Sequence, residues 1–153
     1  MMEVNGMPVG QRKDPYRNFR FLVEIDSIVQ AGFSEATIPD SSSDVVEYRE
    51  GSEPSYARKM PGLTKHGVLT LKWGVTDSME LYNWRKSVEQ GKMKTARKNL
   101  AIIVMDEEGK PAARWQFGEA WPSKYDAPDL TAKGNDVAIE TLEIAFETME
   151  RVK

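Results

Sequence analysis

The chain has 153 residues, a formal charge of −3, no cysteine and one histidine, the size of one domain able to bury a real core. Lack of cysteine excludes a disulfide scaffold, a thiolate metal site and a cysteine nucleophile, and one imidazole is too few for a histidine-based zinc site. The near balance of 21 basic against 24 acidic residues argues against a dedicated nucleic-acid binder, and no apolar run has the length of a signal peptide or a membrane span, so a soluble protein made in the cytoplasm is expected.

Residues 1–18 hold Gly6, Pro8, Gly10 and a charged stretch without periodicity, and read as an arm preceding a single domain over residues 19–153. From Phe19 the pattern changes. Phe19, Phe21, Val23 and Ile25 alternate with Arg20, Leu22 and Glu24, the period of a strand with one apolar face. Val29, Ala31 and Phe33 continue that rhythm past a turn at Asp26 and Ser27, which predicts a hairpin. Residues 38–43 read as a loop, residues 45–50 as a third strand, and residues 51–62 as a long extended stretch with two prolines and two glycines. Residues 67–73 are the best-patterned strand, with Leu69, Leu71 and Trp73 on one face.

One helix is predicted next, with Asp77 as cap, Glu80 completing a capping box, Leu81, Trp84 and Val88 at helical spacing and Gly91 as the stop. Residues 92–98 form a basic linker. Residues 100–105 are apolar on both faces, so that strand needs cover on both sides, and a turn at residues 106–110 returns the chain into a partner strand over residues 112–117. Trp121 and Pro122 are expected to end that hairpin, a loop runs to Asn135, and residues 137–149 form the last long strand. Within it Val137 and Ile139 fall out of phase with Leu142, Ile144 and Phe146, which predicts a bulge at Glu140 and Thr141. The sum is a mainly β fold, an antiparallel sandwich or barrel with one flanking helix.

Catalytic signatures are weak. His66 could serve as a general base, with a serine hydrolase as the corresponding activity, but no Gly-x-Ser-x-Gly elbow accompanies it, and a structural or interface role is the simpler reading. Acidic clusters at Asp106, Glu107 and Glu108, or at Asp126 and Asp129, sit in predicted turns, where solvation and local hydrogen bonding explain them better than a metal does. Trp73, Trp84, Trp115 and Trp121 raise a carbohydrate-binding alternative, against which three of the four fall at predicted core-facing positions. The basic stretches 58–65 and 92–98 lack interleaved aromatics and read as solvated or subunit-facing surface. Neither a cofactor, nor a metal site, nor an enzymatic activity is expected.

Seven ordered blocks add to this reading: residues 14–21 (DPYRNFRF), 31–35 (AGFSE), 46–51 (VEYREG), 58–62 (RKMPG), 69–74 (LTLKWG), 120–122 (AWP) and 135–143 (NDVAIETLE). Together the chain resembles the inner tail-tube protein family of contractile-tailed phages and phage-derived contractile injection systems. Trp73 and Phe146 depart from that pattern, standing where many relatives have a basic residue and a histidine. The resemblance implies a small β-sandwich or barrel assembled as six-fold rings. These rings stack into a hollow tube inside a contractile sheath, joined to a baseplate and spike hub and passing cargo or a genome through the lumen. It implies no catalytic residues and no direct membrane insertion. A tube-initiator paralogue at the baseplate is the alternative within the same family.

An uncovered sheet edge and a long charged loop suit a subunit that pairs with neighbours. The contacts between rings are expected from residues 51–66 and their approach: Glu50 and Glu53 on the entry side, Arg58, Lys59, Lys65 and His66 on the exit side, and Tyr56 and Met60 as apolar anchors.

Overall fold

The computed structural model describes residues 3–4, 7–8, 20–28, 32–48, 51, 58–130, 132, 134 and 137–153, the first two pairs as backbone only. Strands β1 (Glu3–Val4) and β2 (Met7–Pro8) pair antiparallel. The main body contains β3 (Phe21–Ile25), β4 (Phe33–Thr37), β7 (Leu69–Gly74), β8 (Lys98–Met105), β9 (Pro111–Asp126), β10 (Ile139–Ala145) and β11 (Thr148–Arg151), ordered β3-β8-β9-β10-β7-β4 with β11 on β9. Between β4 and β7 stands a separate hairpin of β5 (Ser41–Tyr48) and β6 (Arg58–His66). All pairings are antiparallel, and the expected β-sandwich or barrel-like class is what forms.

Strand β9 is the hinge of this architecture. Its first half pairs with β8 and β11, and its second half, from Trp121 to Asp126, pairs with β10. Glu119 has φ of 53° between the halves, a local irregularity that turns the strand from one set of partners to the other. Trp121 and Pro122 therefore do not end a hairpin. Pro122 stands opposite Ile144 beside a register shift between Glu143 and Ile144, an irregular point of the ladder where a residue without an N–H is tolerated. The bend folds the sheet over one core, in which Leu100, Ile102 and Phe117 meet Leu69, Leu71, Leu142 and Ile144.

The expected final strand is divided in the same place. β10 and β11 are separate strands joined through Phe146 and Glu147, each following one half of β9. No bulge falls at Glu140 and Thr141, because pairing with β7 is continuous from Ile139 to Ile144. Leu142 and Ile144 oppose Leu71 and Leu69, and Glu140 opposes Trp73 on the same face. The apolar row thus ends in a carboxylate, which accepts hydrogen bonds from Trp73 Nε1 at 2.6 Å and Tyr125 Oη at 2.6 Å.

Other expectations change in similar ways. β3 and β4 do not form a hairpin with each other: β3 pairs with β8 and β4 with β7, at opposite ends of the strand order. Alternation identifies a strand but not its partner. Helix α1 (Glu80–Glu89) has no side-chain cap, and the N–H of Ser78 bonds to Thr76 Oγ1 instead of a cap from Asp77. Its end is as expected: Gly91 has φ of 79°, and the N–H of Lys92 reaches the carbonyl of Ser87, satisfying a terminal carbonyl. The basic linker contains a second, one-turn helix, α2 (Met93–Ala96), because Ala96 is fully buried and its carbonyl receives Trp84 Nε1 at 2.5 Å.

Strand β8 is buried on both faces, as its composition requires. Leu100 and Ile102 enter the core, while Ala101 and Ile103 on the opposite face are only 5% and 3% exposed. In register beside Ile103 lie Leu22 and Arg114, and beside Ala101 lie Glu24 and Gln116.

Candidate functional site

The β5–β6 hairpin stands apart from the core. Among the described residues its two strands pair only with each other, and nine residues of β6 at the usual rise span about 30 Å. At its root, the N–H of Gly67 bonds to the carbonyl of Asp40, and the Asp40 carboxylate fills the space a side chain at position 67 would need. His66 packs its ring 5.4 Å from that of Phe146, which in turn meets Phe117 edge-on in the core. The hairpin is therefore fixed at its base.

In its middle the hairpin carries apolar side chains on both faces. Val46 opposes Met60, and the adjacent pair one step nearer the root, Val45 and Pro61, lies on the other face. Val45, Val46, Met60 and Leu63 are 64%, 50%, 52% and 67% exposed. Exposed apolar side chains on both faces of one hairpin are unusual for a surface left to solvent.

The residues expected from sequence divide into three groups. Glu50, Glu53 and Tyr56 lie outside the described residues. Arg58, Lys59 and Met60 open β6 opposite Tyr48, Glu47 and Val46, all exposed. Lys65 and His66 sit at the root, with Lys65 Nζ 3.3 Å from Asp44 Oδ2. Basic residues of β6 thus face acidic residues of β5 within the hairpin. Val45, Val46 and Leu63 were missed as contact candidates; the signal was present in two consecutive valines, which a strand with one covered face cannot both bury.

The remaining candidates carry no catalytic geometry. Asp106 Oδ1 accepts the N–H groups of Glu108 and Lys110 at 2.9 and 2.8 Å, ordering the β8–β9 turn, and Asp126 meets Lys124 at 3.5 Å. Among the described residues no three histidine, aspartate or glutamate side chains gather as a metal site, and no helix is long and apolar enough to cross a membrane. Trp73 and Trp84 are buried and Trp115, half-buried with Arg151 5.2 Å over its ring, packs against the same core, so three of the four indoles face it as expected, while Trp121 is half-buried.

Comparison with known proteins points in one direction. Residues 17–150 match the family described as T4-like virus tail tube protein gp19. The chain is similar to a structure from the 6-fold symmetrised baseplate of the anti-feeding prophage, with a TM-score of 0.78, 25% identity and coverage of 92% of this chain and 97% of that one. It is also similar to a chain of the sheath-tube complex of an extracellular contractile injection system, PVC, in the extended state, with a TM-score of 0.77, 26% identity and 90% of each chain covered. At 16% identity and a TM-score of 0.60, Hcp1 from Flavobacterium johnsoniae shares the fold over 88% of this chain and 95% of its own. No curated protein matches the sequence.

Proposed function

This chain belongs to the T4-like virus tail tube protein family, a family of structural proteins, and from that premise we propose that it forms closed rings of six copies that stack into the inner tube of a contractile injection system. The observation that carries the reading is the β5–β6 hairpin, fixed at its root and exposed on two apolar faces. A stacked ring supplies a body on each side of such a projection. The outer edges of β3 and β4, each paired on one side among the described residues, are the edges with which neighbouring copies close a ring.

In this arrangement Val46, Met60, Val45 and Leu63 are the principal contacts between rings. Glu50, Glu53, Tyr56, Arg58, Lys59, Lys65 and His66 contribute register and orientation. Residues 1–18 serve as an arm that packs on a neighbour, and residues 19–153 as the tube domain. Sheath and baseplate proteins are the partners, as the titles of similar structures suggest, with cargo or a genome passing through the lumen of a tube assembled in the cytoplasm.

The test is electron microscopy of the purified full chain across a concentration series. Rings and tubes are the expected product. A monomer at every concentration, with the fold intact by circular dichroism, would overturn the proposal.

A further inference from the structure

We propose that the recess between the end of β7 and the first turn of α1 receives a lysine or arginine side chain from a protein other than another copy of this chain. The recess has a volume of about 330 Å³. Its floor is Glu140, the carboxylate that ends the core-facing row of β10, and one wall is the ring pair of Tyr82 and Tyr125, with centroids 5.3 Å apart. Val75 and Met79 form its rim, 51% and 55% exposed.

Each part selects for a cation on an alkyl stem. Glu140 takes one hydrogen bond on each oxygen, from Trp73 and Tyr125, whereas a carboxylate offers about four acceptor positions. Both donors are neutral, and no lysine or arginine lines the recess among the described residues, so the carboxylate charge is hydrogen-bonded but not paired. The two phenol faces add attraction for a cation within about 6 Å, and the apolar rim matches the methylene stem that lysine and arginine bury while placing the charge deeper. The N-terminal end of α1 would repel a cation, but Glu80 in its first turn and Asp77 just before it offset that partial charge. A sugar is a poorer fit, because Trp73 is only 2% exposed and offers no indole face for stacking.

The partner is not another copy. The recess draws its residues from β7, α1, β9 and β10 and the segment after β7, and none from the edge strands β3 and β4 or from the hairpin. Many basic side chains of this chain are also occupied: Arg85, Arg97, Arg114, Lys72 and Lys124 each meet a carboxylate of their own chain. The preference for a cation rests on the recess alone, whereas the exclusion of another copy rests on the tube reading, in which β3, β4 and the hairpin are the contacts between copies.

The experiment follows tryptophan fluorescence of the full-length protein titrated with n-butylammonium and n-butylguanidinium at constant ionic strength, with 1-butanol as the neutral control. Saturable changes are expected with both cations and binding about tenfold weaker for butanol. Glu140→Gln should weaken cation binding about tenfold while keeping the melting temperature near that of the parent. Met79→Lys, an exposed rim substitution whose own side chain can fill the recess, should remove the response. Equal binding of butanol and the cations, or full cation binding by Glu140→Gln, would overturn the proposal. Self-association of Glu140→Gln should equal that of the parent by microscopy; its loss would assign the recess to a contact between copies and refute the choice of partner.

Discussion

Strand β7 and the β5–β6 hairpin are neighbours in sequence and both carry large apolar side chains, yet these meet opposite fates. In β7, Leu69, Leu71 and Trp73 are at most 2% exposed, flanked by β4 and β10 and facing one core. In the hairpin, Val45, Val46, Met60 and Leu63 are all at least half exposed. The difference lies in partners: β7 has a strand on each side and a core beneath it, while among the described residues β5 and β6 pair only with each other. Apolar side chains in a strand state that a face needs cover, and the fold of one chain decides only whether that cover comes from within.

Truncation in β7 or in the core it faces should have the largest effect on stability. Leu71→Ala or Ile102→Ala removes a side chain that is 0% or 2% exposed, and each should cost about 2–5 kcal/mol by urea denaturation of the dissociated subunit. The paired hairpin change Val46→Ser with Met60→Ser should shift that stability by less than about 0.5 kcal/mol, since surface substitutions do little within a subunit. The same variant should form no tubes by electron microscopy. A large stability loss from the hairpin variant would show that it packs on its own body, and the comparison would fail.

What could be read in advance follows the same division. β7, the two-faced burial of β8 and the Gly91 terminus of α1 were legible because each depends on residues close in sequence: alternation, a continuous apolar run, and a glycine suited to positive φ. The partners of β3 and β4 were not legible, because pairing across residues 21–104 or 33–73 leaves no local mark. The continuation of β9 was hidden behind Pro122, which normally signals a strand end. Glu140 misled for a different reason. A carboxylate in a core-facing position looks like a broken phase until Trp73 and Tyr125, distant in sequence, are placed beside it. Of the proposed contact site, composition and length single out the segment, but the exposure of apolar side chains on both faces required the register of Val46 with Met60.

Charge reversal sharpens the hairpin half of the comparison with a smaller change. Arg58→Glu with Lys59→Glu places new carboxylates opposite Tyr48 and Glu47, and like charges facing across a ladder destabilise it by about 0.2–1 kcal/mol. Rings should survive, because neither residue lies on β3 or β4, while stacking into tubes should be lost or much shortened in micrographs. Because the effect is electrostatic and exposed, added salt should restore part of the tube length. Tubes of normal length from the variant at low salt would leave the apolar residues alone responsible for stacking.

The core half of the comparison is sharpened at the recess end of the core. Burial foremost, then the hydrogen bond to Glu140, then the charges of Glu140 and Tyr82, push the Tyr125 phenol from 10.0 up to about 12. In the unfolded chain this phenol loses its proton near 10, whereas the folded protein holds it until about 12. The folded-state pKa is the higher one, so the associated stabilisation is complete below 10, declines as the pH rises through the window, and is gone above 12. Tyr125→Phe removes both the hydrogen bond, worth about 1.5 kcal/mol with a charged acceptor, and the titration. At neutral pH the parent should therefore be modestly the more stable in urea, and its advantage over Tyr125→Phe should shrink as the pH rises through 10 towards 12. Parallel stability curves across that range would show that the phenol titrates alike in both states, and that Glu140 is held by Trp73 without help from Tyr125.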